Sequence, residues 1–144
     1  QKKLKDQMKK GASHDLSMLA DKMLADAMDI SGIKIITGAL PEGVSDEAVR
    51  TQMDRLRQKS GSSVIVVGWP VAADKVILIA AATDDVTAKG IHAGKLVGLA
   101  AGIVGGKGGG KSTLAQAGGK DPSRLEAALE LARNEAVATL KSVG

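Results

Sequence analysis

The chain has 144 residues, 44% of them hydrophobic and 25% charged, with 20 basic and 16 acidic side chains, a balance typical of a globular domain that buries roughly 70% of its unfolded surface without a disulfide or metal staple. Cysteine is absent and histidine occurs only at His14 and His92, which excludes thiol chemistry, disulfides and Cys-based zinc or iron–sulfur sites. With Trp69 as the single aromatic residue, stacking of successive bases on several rings is excluded as a mode of nucleic-acid binding.

Leu4, Met8, Ala12, Leu16, Leu19, Met23, Ala27 and Ile30 recur at spacings of three and four, the pattern of an amphipathic helix. Gly11 and the stretch Ser13 to Asp15 divide it into a basic leading helix and an acidic second one, and Gly32 ends the run. Because the chain opens at Gln1 in what reads as mid-helix, a fragment of a longer protein is expected. Its Met-rich stripe suits either an adaptable partner surface or a face packed on the neighbouring domain. Ser13, His14 and Asp15 are triad residue types, but neighbours on one turn cannot converge on a reacting atom.

The period changes at Ile33. Ile33, Ile35, Ile36 and Thr37 read as a first strand closed by Gly38, Pro41 and Gly43. Ser45 is a predicted N-cap with Asp46 and Glu47 in the first turn of a helix running to Gln58. Val64 to Val67 is a second strand, ended by Gly68, Trp69 and Pro70, and Val76 to Ala81 a third, reached through a hairpin at Ala73 to Lys75. Trp69 is read as a core cap or as a lone stacking surface. Asp84 and Asp85 suit helix capping or a magnesium ion. A helix is predicted from about Thr87 to Val104, and a last one behind Asp121 and Pro122 runs to about Lys141. The expected architecture is thus a helical segment over 1–31 and a globular α/β (α+β) domain over 32–144, its central mixed sheet flanked by helices. No apolar run reaches the roughly 18 residues of a membrane span, no secretory signal is recognised, and a cytoplasmic protein is expected.

Charge is segregated along the chain. Residues 1–10 carry five Lys against Asp6, residues 11–49 hold two bases and seven acids, and residues 86–120 contain Lys89, Lys95, Lys107, Lys111 and Lys120 with no acid. Arg50, Arg55, Arg57 and Lys59 surround Asp54. Such separation points to an anionic partner, or to solvated helix faces. Gly90, Gly94, Gly98 and Gly102 recur every fourth residue in the predicted helix, each at about 1 kcal/mol relative to Ala, so that helix requires close backbone packing, against the sheet or a second subunit. His92, beside the basic segment, is read as a phosphate or ribose contact, or as a packed or solvent-facing side chain.

Gly105 to Ser112 (GGKGGGKS) satisfies the phosphate-binding loop pattern G-x-x-x-x-G-K-[ST]. That mechanism requires a strand before the loop and a helix directly after it. The upstream segment reads as helix, and Gly118 and Gly119 follow too soon for a downstream one, so nucleotide hydrolysis is not expected. The segment itself suits either a phosphodiester contact through amides and lysines or a plain surface turn.

The stretch DVTAKGIHAGKLV from Asp85, together with GGKGGGKSTLAQAGGKDPSRLEAAL from Gly105, closely resembles the C-terminal domain of alanyl-tRNA synthetases, members of the DHH-associated domain family. The resemblance covers essentially the whole chain, and the pairing of Gly108-Gly109-Gly110 with Ala115-Gln116-Ala117-Gly118-Gly119 carries it. It implies a non-catalytic fragment that contacts the outer corner of tRNA where the D and T loops meet and helps couple aminoacylation with editing. The implied partners are alanine tRNA, the aminoacylation and editing domains of the parent chain and, in some members, a second copy; a protein-interaction or dimerisation module is the alternative role. No cofactor or metal is implied here, ATP, magnesium and zinc serving other domains of the parent ligase. The nucleic-acid-binding residues so implied are Lys95, Lys107, Gly108, Gly109, Gly110, Lys111, Gln116 and Lys120. Related phosphoesterases carry a histidine where this chain has Lys111, so their activity is not carried over. Family loops often have Arg-Pro at Lys111-Ser112, and lysine cannot fork onto a phosphate as arginine does.

Overall fold

The computed structural model describes residues 18–30, 32–40 and 44–143. The leading basic helix, the Ser13 to Asp15 cluster and Pro41 and Gly43 lie outside them. Among the described residues, helix α1 (18–25) is followed by strands β1 (Met28–Ile30) and β2 (Ile33–Ala39), helix α2 (Asp46–Ser60), strands β3 (Ser63–Ala72) and β4 (Lys75–Ala82), helices α3 (Asp84–Thr87) and α4 (Ala93–Ile103), strands β5 (Lys107–Gly110) and β6 (Leu114–Gly119), and helix α5 (Leu125–Val143). One six-stranded sheet has the order β1-β2-β3-β4-β6-β5, with β2 and β3 parallel and every other pair antiparallel. This is the expected mixed α+β architecture.

Strand alternation sorts the core onto two sheet faces. Ile33, Ile35, Val64, Val66, Val76, Leu78 and Ala80 pack with α4 and α5 on one face. Ile36, Ile65, Val67, Trp69 and Ile79 pack with Val49, Met53 and Leu56 of α2 and with Ala20 and Met23 of α1 on the other. Asp21 holds α1 to α2 through Lys59 Nζ at 3.1 Å and Arg55 Nη2 at 3.4 Å. Two predicted caps form: Ser45 Oγ accepts from Ala48 N–H at 3.1 Å, and Asp121 accepts from Ser123 N–H at 3.1 Å behind Pro122; Asp84 and Asp85 instead lie in the first turn of α3, whose N-cap is Thr83.

Four expectations are corrected. The amphipathic run stops before Met28, because Met28–Ile30 pairs antiparallel with Ile33–Ile35 and becomes an edge strand. The second strand continues through Gly68, Trp69 and Pro70, since β4 pairs with it along that length and Pro70 falls beside a register shift, where a missing N–H is tolerated. The helix predicted from Thr87 to Val104 is confined to α4, Ala93–Ile103; a separate short helix, α3, ends at Thr87, and the chain turns between them at Gly90, whose φ of 106° no interior helical residue adopts. The glycine-rich segment is no loop: Lys107–Gly110 and Leu114–Gly119 form a hairpin at the sheet edge.

Candidate nucleic-acid interface

The β5–β6 hairpin is shaped by what glycine permits. On one of its faces lie Ala115 and Ala117, opposite Gly110 and Gly108, and α4 rests directly on that face. A Cβ on Gly94 would stand 2.8 Å from the Gly110 carbonyl oxygen, and one on Gly98 would be in ordinary contact with that of Gly108 at 3.6 Å. Two members of the every-fourth-residue glycine pattern therefore pack on the sheet. Gly102 meets nothing, and Gly90 stands outside the helix.

The opposite face of the hairpin is bare. Its rows are Lys107 with Gly118 and Gly109 with Gln116; a Cβ on Gly109 would meet no atom within 4 Å. Lys107 and Lys111 bracket the strand, roughly 13 Å apart at about 3.3 Å per residue. Lys107, Lys111 and Lys120 are all exposed. From α2, Arg50 Nη2 donates to Gln116 Oε1 at 2.8 Å, which fixes the amide and leaves its nitrogen, a double donor, for another acceptor. β5 ends the sheet, so its outer N–H and C=O groups have no strand partner among the described residues. The surface so assembled offers peptide dipoles, an oriented amide and separated ammoniums, a set suited to sugar and phosphate oxygens rather than to bond-breaking chemistry.

The phosphate-loop reading fails on geometry. Ser112 enters a strand, not a helix, and the helix N-terminus that does approach, that of α4, is already occupied: Ala93 N–H donates to Ser112 C=O at 2.9 Å, Gly94 N–H to Lys111 C=O at 3.3 Å, and Lys95 N–H to His92 Nδ1 at 3.2 Å. His92 is thereby a helix cap. Asp85 accepts from the Ser62 hydroxyl, a bond that together with one from Thr83 holds its carboxyl below the usual carboxylate range. No group of three or more His, Asp or Glu side chains able to hold a metal occurs among the described residues. Trp69, 2% exposed, is core and offers no ring for stacking. Of the described methionines, Met23 and Met53 are buried while Met18 and Met28 are exposed. No helix among the described residues is long and apolar enough to cross a membrane.

A family model described as the DHHA1 domain matches residues 32–138. The chain belongs to the DHHA1 domain family. Among its relatives, the alanine–tRNA ligase of a Nostoc species is 47% identical over 116 residues, covering 81% of this chain and 13% of the ligase, and that of Thiobacillus denitrificans is 51% identical over 109 residues, covering 76% and 12%. The chain thus spans about 13% of the length of such relatives. The C-Ala domain of Aquifex aeolicus alanyl-tRNA synthetase shares the fold, with a TM-score of 0.67 and 24% identity over 77% of this chain and 97% of that one.

Within this DHHA1 domain, seven of the eight residues singled out from sequence lie on the hairpin or directly at its ends: Lys107, Gly108, Gly109, Gly110, Lys111, Gln116 and Lys120. Lys95 is set apart, on the α5 side of α4, with its Nζ 3.7 Å from Glu135 Oε1. Two further residues belong to the surface, Arg50 through its bond to Gln116 and Lys75 beside Lys107 and Lys120. Arg50 sits 66 residues from its partner, a pairing that periodicity cannot show.

Proposed function

We propose that this DHHA1 domain is the non-catalytic C-terminal tRNA-binding module of an alanine–tRNA ligase, and that the bare face of its β5–β6 hairpin contacts the outer corner of tRNA. The observation that carries the reading is the side-chain-free patch at Gly109, bordered by Lys107, Lys111 and the Arg50-held amide of Gln116. A folded RNA corner presents sugar–phosphate backbone on a convex surface, and shape with phosphate charge is what such a patch recognises. The partners are then alanine tRNA and the aminoacylation and editing domains, whose work the module couples in the cytoplasm. ATP, magnesium and zinc belong to those other domains.

The test is the affinity of the Lys107→Ala/Lys111→Ala double variant for intact alanine tRNA. Removing two phosphate contacts should flatten the log–log salt slope by about 2 and weaken binding at moderate salt by an order of magnitude or more. Unchanged affinity sinks the assignment of this face. Self-association through this domain is the competing role; sedimentation showing one monomeric species at all concentrations removes it.

A further inference from the structure

A cleft of about 770 Å³ opens where the β3–β4 turn meets the base of the hairpin, lined by Asp74, Lys75, Lys107 and Lys120 with Gly105, Gly106, Gly118 and Gly119. Its three lysines come from separate parts of the fold. The β4–β6 ladder ends with Val76 opposite Gly119, so Lys75 and Lys120 lie just beyond its end on neighbouring segments. In β5, Lys107 pairs with Gly118. Alternation from Val76, which faces α4 and α5, places Lys75, Lys107 and Gly118 on the sheet's other face. Like charges gathered at one site repel one another. No carboxylate lies within ion-pair distance of any of the three among the described residues, although Asp74 lines the same cleft.

Four backbone amides in or next to the cleft are already engaged. Gly105 N–H donates to Gly102 C=O, Gly106 N–H to Ala101 C=O, and both Lys120 N–H and Asp121 N–H to Val104 C=O. The glycine walls follow from packing: a Cβ on Gly106 would stand 1.7 Å from Gly118 O, and one on Gly119 would stand 2.2 Å from a Val104 methyl. What the cleft offers a ligand is therefore three lysines around a floor of glycines, and a mutual repulsion that a bound anion relieves.

We propose that this cleft is a phosphate subsite in which Lys75, Lys107 and Lys120 together hold one phosphate group, so that Lys75 extends the tRNA-binding face beyond the hairpin. This rests on the tRNA reading above. Lys75 then trades stability for binding: in the free protein it shares the cleft with two other lysines, and with a phosphate among them it becomes a contact.

The experiment uses the whole chain and two probes, inorganic phosphate and alanine tRNA, with Lys22→Ala, a cation on α1 outside the cleft, as control. Phosphate should shift the backbone amide resonances of Gly118, Gly119 and Lys120 saturably. Lys75→Ala should weaken that binding about fivefold or more and flatten the tRNA salt slope by about 1, while its Tm without phosphate stays the same or rises. Asp74→Asn should strengthen phosphate binding, and Lys22→Ala should change neither readout. If Lys75→Ala leaves the tRNA slope unchanged while Lys107→Ala/Lys111→Ala flattens it, the subsite is overturned and the tRNA reading stands. If phosphate shifts the three amides but no lysine variant alters tRNA binding, the subsite serves a free phosphate and the tRNA reading fails. Phosphate shifts that never saturate, or a Lys75→Ala protein of lower Tm, overturn the subsite.

Discussion

Gly108 and Gly109 sit side by side in β5 and face opposite ways. A Cβ on Gly108 would lie 2.0 Å from that of Ala117 and 2.5 Å from its Cα, whereas one on Gly109 would enter open space. Gly108→Ala should therefore destabilise the domain by about 1–3 kcal/mol through overpacking. Gly109→Ala should stay within about 0.5 kcal/mol of the parent, since Ala orders a strand slightly better than Gly, yet it should lower tRNA affinity several-fold by raising a methyl on the bare face. Urea unfolding and tRNA titration of the two variants check the contrast; equal stability for both would contradict the packing, and unaltered tRNA binding by a stable Gly109→Ala protein would contradict the interface. Conformation and clearance divide the chain's other glycines in the same way. Gly94 is pressed onto β5, Gly90 adopts φ 106° in a turn, and Gly102 faces solvent, so their regular spacing in sequence is not one structural stripe.

At the scale of elements, the helix α1 is bound to α2 by a buried and a charged component: Ala20 and Met23 enter the core beside Met53 and Leu56, and Asp21 bridges to Lys59 and Arg55. Its bond from Lys59, opposed in part by desolvation and aided by the two cations, draws the Asp21 carboxyl below its ordinary value of 3.8. A carboxylate lowered in the folded state contributes stability at pH above its unfolded value and loses it as the pH falls through the folded one. Between pH 5 and about pH 3, the parent should thus lose more stability than Asp21→Asn, as read by urea midpoints at each pH. Equal losses would mean that the bridge does not fasten α1. Helices α2 and α5 and the cores of β2, β3 and β4 were legible because their apolar periodicity and caps agree. Strands β5 and β6 were not, because KGGG and LAQAGG carry almost no apolar alternation; tertiary contact with α4 and β4 makes them strands. The three residues of β1 continued a helical spacing that pairing with β2 overrides, and Pro70 concealed the length of β3. The lysines and glycines of the proposed interface could be found by motif, whereas Arg50 and Lys75 reach it only through the fold.

For the whole molecule, the sheet separates two kinds of surface. One face is closed by α4 and α5 and the other by α1 and α2, but neither α1 nor α2 covers the open side of the hairpin at the far edge, where Lys107, Lys111 and Lys120 of the acid-free segment lie. Several basic residues elsewhere are drawn into pairs, Arg55 and Lys59 with Asp21, Arg57 with Asp54, and Lys34 with Asp29. With a formal net charge of only +4, general attraction to RNA is modest, and discrimination must come from the shape of this edge. The most direct measurement is a titration of the chain with intact alanine tRNA, a minihelix lacking the outer corner and a linear RNA of equal length, each at two salt concentrations. Preferential binding to intact tRNA with a log–log salt slope of about −3 to −5 is the predicted result; equal binding to all three RNAs, or none, would contradict it.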